Sequence, residues 1–140
     1  VDTAELVAYV RSQADGVVAT TGPGGAPQAA YLSLAATDRG ELVLDARASS
    51  RKVVNLRADA RVAVVVGGPD GTTLQCEGLA DLPEGDDRER CAAAYVAAFP
   101  QFAASLADDG IVLVRITPSW ARHGDFRGDV PVLRDVDLLA

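Results

Sequence analysis

The densest run of chemistry-bearing side chains is Arg47-Ala48-Ser49-Ser50-Arg51-Lys52. Between Ala46 and Ala58 the chain carries four cations, Arg47, Arg51, Lys52 and Arg57, and no acid, although its net charge is −7. Ser49 or Ser50 caps a short helix over 51–58 that brings Val53 and Leu56 onto one side. At such a start the backbone N–H groups point outward and the helix dipole favours an anion. Arg51 adds a fork able to grip two phosphate oxygens, and Lys52 adds a point charge. Ser49, Ser50, Arg51 and Lys52 therefore suit a phosphate. The same residues also suit a solvated helix start whose cations balance nearby acids, and spacing alone leaves both readings open.

The remaining reactive side chains point to little conventional catalysis. His123 is the only histidine, so no two-histidine metal site can form. Cys76 and Cys91 lack metal or Cys-x-x-Cys spacing and read as core positions, and no metal site is expected. No Gly-x-Gly-x-x-Gly follows a strand and no Walker A sequence is present. Asp86, Asp87 and Glu89 are explained by a helix dipole, and Asp108-Asp109-Gly110 by a turn.

Elements that could position the phosphate-type cluster follow from periodicity. Asp2 with Glu5 reads as the capped start of a helix over 3–14, with Leu6, Val7 and Val10 on one side and Asp15-Gly16 ending it. Strands are expected at 17–21, 28–36 and 41–45, separated by Gly22-Pro23-Gly24-Gly25-Ala26-Pro27 and by Thr37-Asp38-Arg39-Gly40, which makes an antiparallel meander. In the second strand Tyr31 and Ser33 share one face, and Leu32 and Leu34 the other. After the 51–58 helix come strands at 61–66 and 72–82, the latter bulged at Gly78. Cys91, Tyr95, Ala98, Phe99, Phe102 and Leu106 form one helical face, broken by Pro100. A strand at 111–117 ends at Pro118, and 120–126 reads as a bent continuation. The tail from Gly128 has too few apolar residues to pack alone. The expected class is mainly β, an antiparallel barrel or sandwich with short flanking helices, in a single domain over 1–140.

Composition sets outer limits. With 49% hydrophobic and 24% charged residues, the chain is an ordinary globular protein, not a disordered or coiled-coil one. An acidic chain repels phosphate backbones, so neither nucleic acid nor an anionic membrane is expected as the main partner. No apolar run reaches the ~18 residues of a membrane span. Two unpatterned cysteines and no signal-peptide pattern fit a cytoplasmic protein.

Several short motifs occur together in one order. They are Val18-Ala19-Thr20, Gly25-x-Pro27, Ser50-Arg51-Lys52, Asn55-Leu56-Arg57-x-Asp59-x-Arg61-Val62, Gln75-x-x-Gly78 and Trp120-x-Arg122. In this order they resemble the FMN-binding split-barrel family related to pyridoxamine 5′-phosphate oxidase, over roughly residues 3–127. The resemblance implies a split β-barrel that binds flavin mononucleotide (FMN), with a deazaflavin as the alternative and haem in a few relatives. It assigns Ser50, Arg51 and Lys52 to the FMN phosphate. Tyr31, Leu32, Ser33 and Leu34 would run along the ribityl chain and ring, and Gln75 would meet the isoalloxazine edge. Trp120 and Arg122 would come from the second subunit of a homodimer with flavin sites at its interface. The implied activity is a flavin-mediated hydride transfer to or from a small-molecule substrate; the alternatives are a deazaflavin-dependent reductase and a flavin-binding or stress-response protein without turnover. The vitamin B6 oxidases of the family carry Arg-x-His near the C-terminus, whereas this chain has Arg122 and His123 adjacent, and no catalytic residue is assigned.

Overall fold

The computed structural model describes all residues from Val1 to Ala140. Helix α1 (Thr3–Gln13) starts where Asp2 accepts a hydrogen bond from the Glu5 amide, and Ala14 closes it in the left-handed conformation. Asp15 and Gly16 do not form a separate terminator as expected. They open strand β1 (Asp15–Thr21), because Asp15 and Gly16 already pair with Ser33 and Leu32 of β2 (Pro27–Ser33).

The expected strand over 28–36 is two strands. After β2, the Leu34 N–H leaves the ladder and donates to Ala14 O at 3.0 Å. The chain then pairs as β3 (Ala35–Ala36) with β4 (Leu42–Arg47). Beyond α2 (Arg51–Ala58) follow β5 (Arg61–Gly67), β6 (Thr72–Asp81), α3 (Gly85–Ala98), a 3-10 segment from Pro100, β7 (Ile111–Asp125) and β8 (Val132–Asp135). The strand order is β2-β1-β5-β6-β7-β4-β3, all antiparallel, with β8 added to β7. The two ends of this order, β2 and β3, are consecutive in sequence and joined at Leu34. The sheet therefore curls back on itself into the expected split barrel.

Alternation decides what the barrel encloses. Val18, Val62, Val64, Val66, Leu74 and Cys76 point inward, and α1 and α2 cover them with Leu6, Val10, Val53 and Leu56. A second cluster lies outside: Cys91, Tyr95 and Phe99 of α3 and the segment after it pack on Ala35, Val43 and Leu113. The buried Tyr95 hydroxyl donates to Asp45 at 2.9 Å. Below α3, Glu41 accepts from Thr37, Arg90 and Arg115, and Arg115 also pairs with Asp81.

Pro118 does not end the last long strand. β7 runs through it, because a bulge between Glu77 and Gly78 leaves Ser119 without a partner across the ladder. A residue lacking an N–H is tolerated at such a break. The extra residue also reverses the alternation. Val114 and Ile116 face inward before it and Ala121 after it, so Trp120 and Arg122 turn outward. The tail is held by main-chain bonds, with β8 paired to β7 and Asp137 N donating to Val1 O at 2.8 Å, and by Val136, which is buried in the barrel core with Leu138 packed against that core. No helix is long and apolar enough to cross a membrane.

Candidate functional site

The helix start predicted from the cation cluster opens onto a cavity of about 360 Å³. Its walls are Val18, Thr20, Gln28, Ala29, Ala30, Arg51 and Lys52, with Pro27 at the rim. α2 sets this geometry: Val53, Asn55 and Leu56 turn toward the barrel, which leaves Arg51 and Lys52 at the mouth. Ser50 occupies the N-cap position but makes no capping bond, and its Oγ is buried with no hydrogen-bond partner. A buried hydroxyl without a partner forfeits a hydrogen bond that water would have supplied. None of Arg47, Arg51, Lys52 and Arg57 takes part in an ion pair. These cations therefore have no direct counter-charge within the chain and stand either solvated or open to an anion. Two cations free of ion pairs line this cavity at a helix N-terminus, with the orphaned Ser50 hydroxyl buried just behind them in sequence, and such a set fits a phosphate group.

Three residues of this site were not assigned from sequence. Gln28 Oε1 accepts from Arg51 Nε at 2.9 Å and from Asn55 Nδ2 at 2.8 Å. Asn55, itself buried, also donates to Thr20 Oγ1 at 3.0 Å. The signal available was Asn55 on the buried side of an otherwise charged helix, since a buried amide needs partners. Its partners on β1 and β2 follow only once the strands are paired.

The other assigned residues divide by position. Ser49 is exposed in the turn before α2. Leu34 is fully buried in the barrel core, and Leu32 packs against that core, so along this stretch Tyr31 is the side chain most open to a ligand, at 71% exposure. The Asp15 carboxylate nearby pushes the Tyr31 phenol above its ordinary range and keeps it a donor. Ser33 is half-buried, opposite Asp15.

Gln75, Trp120 and Arg122 lie on the outer face of the sheet. One rung crosses five strands as Tyr31, Val17, Val65, Gln75 and Arg122, and the next as Ala29, Ala19, Ala63, Glu77 and Trp120. The Arg122 guanidinium lies 5.2 Å from the centre of the Trp120 ring, and its Nε donates to Asp135 at 2.7 Å. Arg122 holds the Asp135 carboxyl below its ordinary range. Four strand steps, roughly 19 Å along the sheet, separate Tyr31 from Arg122. The structure thus brings Ser50, Arg51 and Lys52 together near the β2 edge and Gln75, Trp120 and Arg122 together elsewhere, without joining the two groups within one chain. Between them the rungs carry Val17, Val65, Ala19 and Ala63, with the exposed carboxylate of Glu77 next to Trp120. On this face Val65 is 46% and Leu79 58% exposed.

His123 points the other way. Its ring meets Tyr9 of α1 edge-on, with centres 5.1 Å apart. Both cysteines are buried, as read from their positions, and burial pushes the Cys76 thiol up to about 12.

Comparison with known proteins agrees with this fold. The family model for pyridoxamine 5′-phosphate oxidase matches residues 2–124. A heme binding protein from Mycobacterium smegmatis superposes with a TM-score of 0.82 at 19% identity over 96% of this chain, which spans 57% of that protein's length. A conserved hypothetical protein from Mycobacterium tuberculosis gives 0.75 at 28% identity, covering 91% of this chain and 86% of its own. A pyridoxamine 5′-phosphate oxidase-related, FMN binding protein from Nostoc punctiforme gives 0.67 at 16% identity, covering 93% and 85%. Among curated proteins none matches the chain.

Proposed function

The chain belongs to the pyridoxamine 5′-phosphate oxidase family, and from that premise we propose that it binds FMN at the α2 cavity and works as a flavin-dependent oxidoreductase. The observation that carries this reading is the cavity lined by Arg51 and Lys52, two cations free of ion pairs at a helix start whose N-cap hydroxyl, Ser50 Oγ, has no partner. A phosphate dianion seated there gives Ser50 its missing partner and Arg51 and Lys52 their counter-charge. Val18, Ala29 and Ala30 line the approach with apolar surface, which keeps water away and strengthens the charge pairing.

A bound flavin supplies two-electron chemistry by accepting or giving a hydride at its ring. This chain's residues position it. Tyr31, exposed on β2, offers an aromatic face and a donor hydroxyl next to the cavity. The outer face of the sheet forms the seat for a second copy. In that homodimer, Gln75, Trp120 and Arg122 of the partner approach a flavin that their own chain places three to four strands away. Arg122, held over Trp120, offers a positive charge suited to the negative charge that a flavin ring gains on reduction. The substrate is a small molecule admitted at the dimer seam.

The test is a titration of purified protein with FMN, deazaflavin cofactor and haem, followed by absorbance and fluorescence. The proposal expects FMN to bind tightest. It also expects Ser50→Ala to leave the ligand-free protein as stable as before, since Oγ has no partner to lose, while weakening FMN by about three- to tenfold. Preference for haem or deazaflavin would replace the cofactor assignment. Bound FMN that no electron donor reduces would leave a flavin-binding protein without turnover.

A further inference from the structure

Gly22 is a glycine without a backbone reason. Its φ of −88° and ψ of −171° are open to any residue. A side chain there would instead meet Gln28: a Cβ on Gly22 would lie 2.6 Å from Gln28 Nε2 and 2.9 Å from its Cδ. The amide of Gln28 is thus seated in the space that Gly22 leaves. Its orientation is set from the other side. Asn55 Nδ2 has two hydrogens, one given to Thr20 Oγ1 and one to Gln28 Oε1. The Gln28 oxygen must therefore face α2, where it also accepts from Arg51 Nε. That bond uses only the inner edge of the guanidinium. Both terminal nitrogens of Arg51 remain without a protein acceptor, at a cavity that Gln28 and Arg51 line together.

We infer that Gln28, seated on Gly22 and oriented by Asn55, is a positioning residue that presents the Arg51 fork to the ligand's phosphate and so sets the site's preference for phosphorylated over unphosphorylated ligands. The inference rests on the phosphate site proposed above and adds residues to it. A long, rotamer-rich arginine at an exposed helix start would otherwise pay side-chain entropy each time it closed on an anion. Gln28 takes that cost in folding, so affinity for the phosphate rises without any contact between Gln28 and the ligand.

The experiment measures FMN and riboflavin affinities, by quenching of flavin fluorescence, for the unmodified protein, Gln28→Leu, Arg51→Ala and the double variant. Gly22→Ala serves as a second, independent way to displace the Gln28 amide. The expected result is that Gln28→Leu weakens FMN by about three- to tenfold. Riboflavin, which has no phosphate, should bind unchanged, and Gly22→Ala should act in the same direction. Because Gln28 acts through Arg51, Gln28→Leu should add little once Arg51 is alanine. Equal losses for FMN and riboflavin would make Gln28 a merely structural residue. An undiminished FMN loss in the Arg51→Ala background would make it a direct contact. Either result overturns the inference while the phosphate site stands. If the unmodified protein binds FMN no better than riboflavin, the phosphate site falls and this inference with it.

Discussion

Gln75 and Arg122 stand directly opposite each other across the β6–β7 ladder, on the outer face of the sheet. Arg122 lies an even number of positions after Ile116, which is buried inside the barrel. In an unbroken strand the two side chains would share a face. The unpaired Ser119 reverses the alternation, and Gly78 pins it in place, since a Cβ on Gly78 would run into Thr117 O. Gly78→Ala should therefore destabilise the protein by about 2–4 kcal/mol, measured by chemical unfolding. It should also disturb Trp120 fluorescence, because the bulge decides which way Trp120 points. A neutral substitution would mean that the bulge does not depend on this glycine.

The outer face offers a test of assembly. Val65 lies midway along the rung from Tyr31 to Arg122 and is 46% exposed. Val65→Glu places a charge at the centre of the proposed seam at little cost to a free monomer. The expectation is a dimer for the unmodified protein by light scattering, a monomer for Val65→Glu, and a parallel fall in flavin affinity. A monomeric unmodified protein that binds FMN fully would contradict the account of Gln75, Trp120 and Arg122.

The ion network under α3 predicts a pH dependence. Hydrogen bonds from Arg90 hold the Glu41 carboxyl below its ordinary 4.5, against the opposing effect of burial. A carboxyl depressed on folding stabilises above its unfolded pKa, and that contribution is lost as pH falls through the lower folded value. Melting temperature should thus drop as pH is taken below about 4.5. Glu41→Gln should cost about 1–3 kcal/mol at neutral pH and make the acid-side slope shallower. An unchanged slope would place the acid sensitivity on other groups.

What could be read from the sequence was whatever local chemistry fixes. The Asp2 cap, the break at Pro100 and the 51–58 helix each depend on residues a few positions apart, whereas the irregularity read at Gly78 has its extra residue, Ser119, on the neighbouring strand. The motif order around Ser50-Arg51-Lys52 carried the family and the barrel with it. Three features depend on distant partners and were not legible. Leu34 leaves the ladder because Ala14 offers it an acceptor. β7 passes through Pro118 because Gly78 admits a bulge on the opposite strand. β8 is held by main-chain bonds that leave its side chains exposed, so it has no hydrophobic pattern to detect. At the site, Arg51 and Lys52 stood out by charge. The Thr20, Asn55 and Gln28 chain joins α2 to two strands and became visible only with the fold.

The central claim is that Arg51 and Lys52 hold a phosphate. Its most direct measurement is the affinity of FMN and of riboflavin for Arg51→Ala and Lys52→Ala. Each variant loses one charge-assisted contact, at a cost of roughly 1.5–3 kcal/mol, or about tenfold or more in FMN affinity. Arg51→Ala should lose more, because a guanidinium can grip two oxygens where an ammonium meets one. Riboflavin binding should barely change in either. Equal losses for both ligands, or no loss for either, would reduce the cluster to a solvated helix start and leave the barrel without its proposed cofactor site.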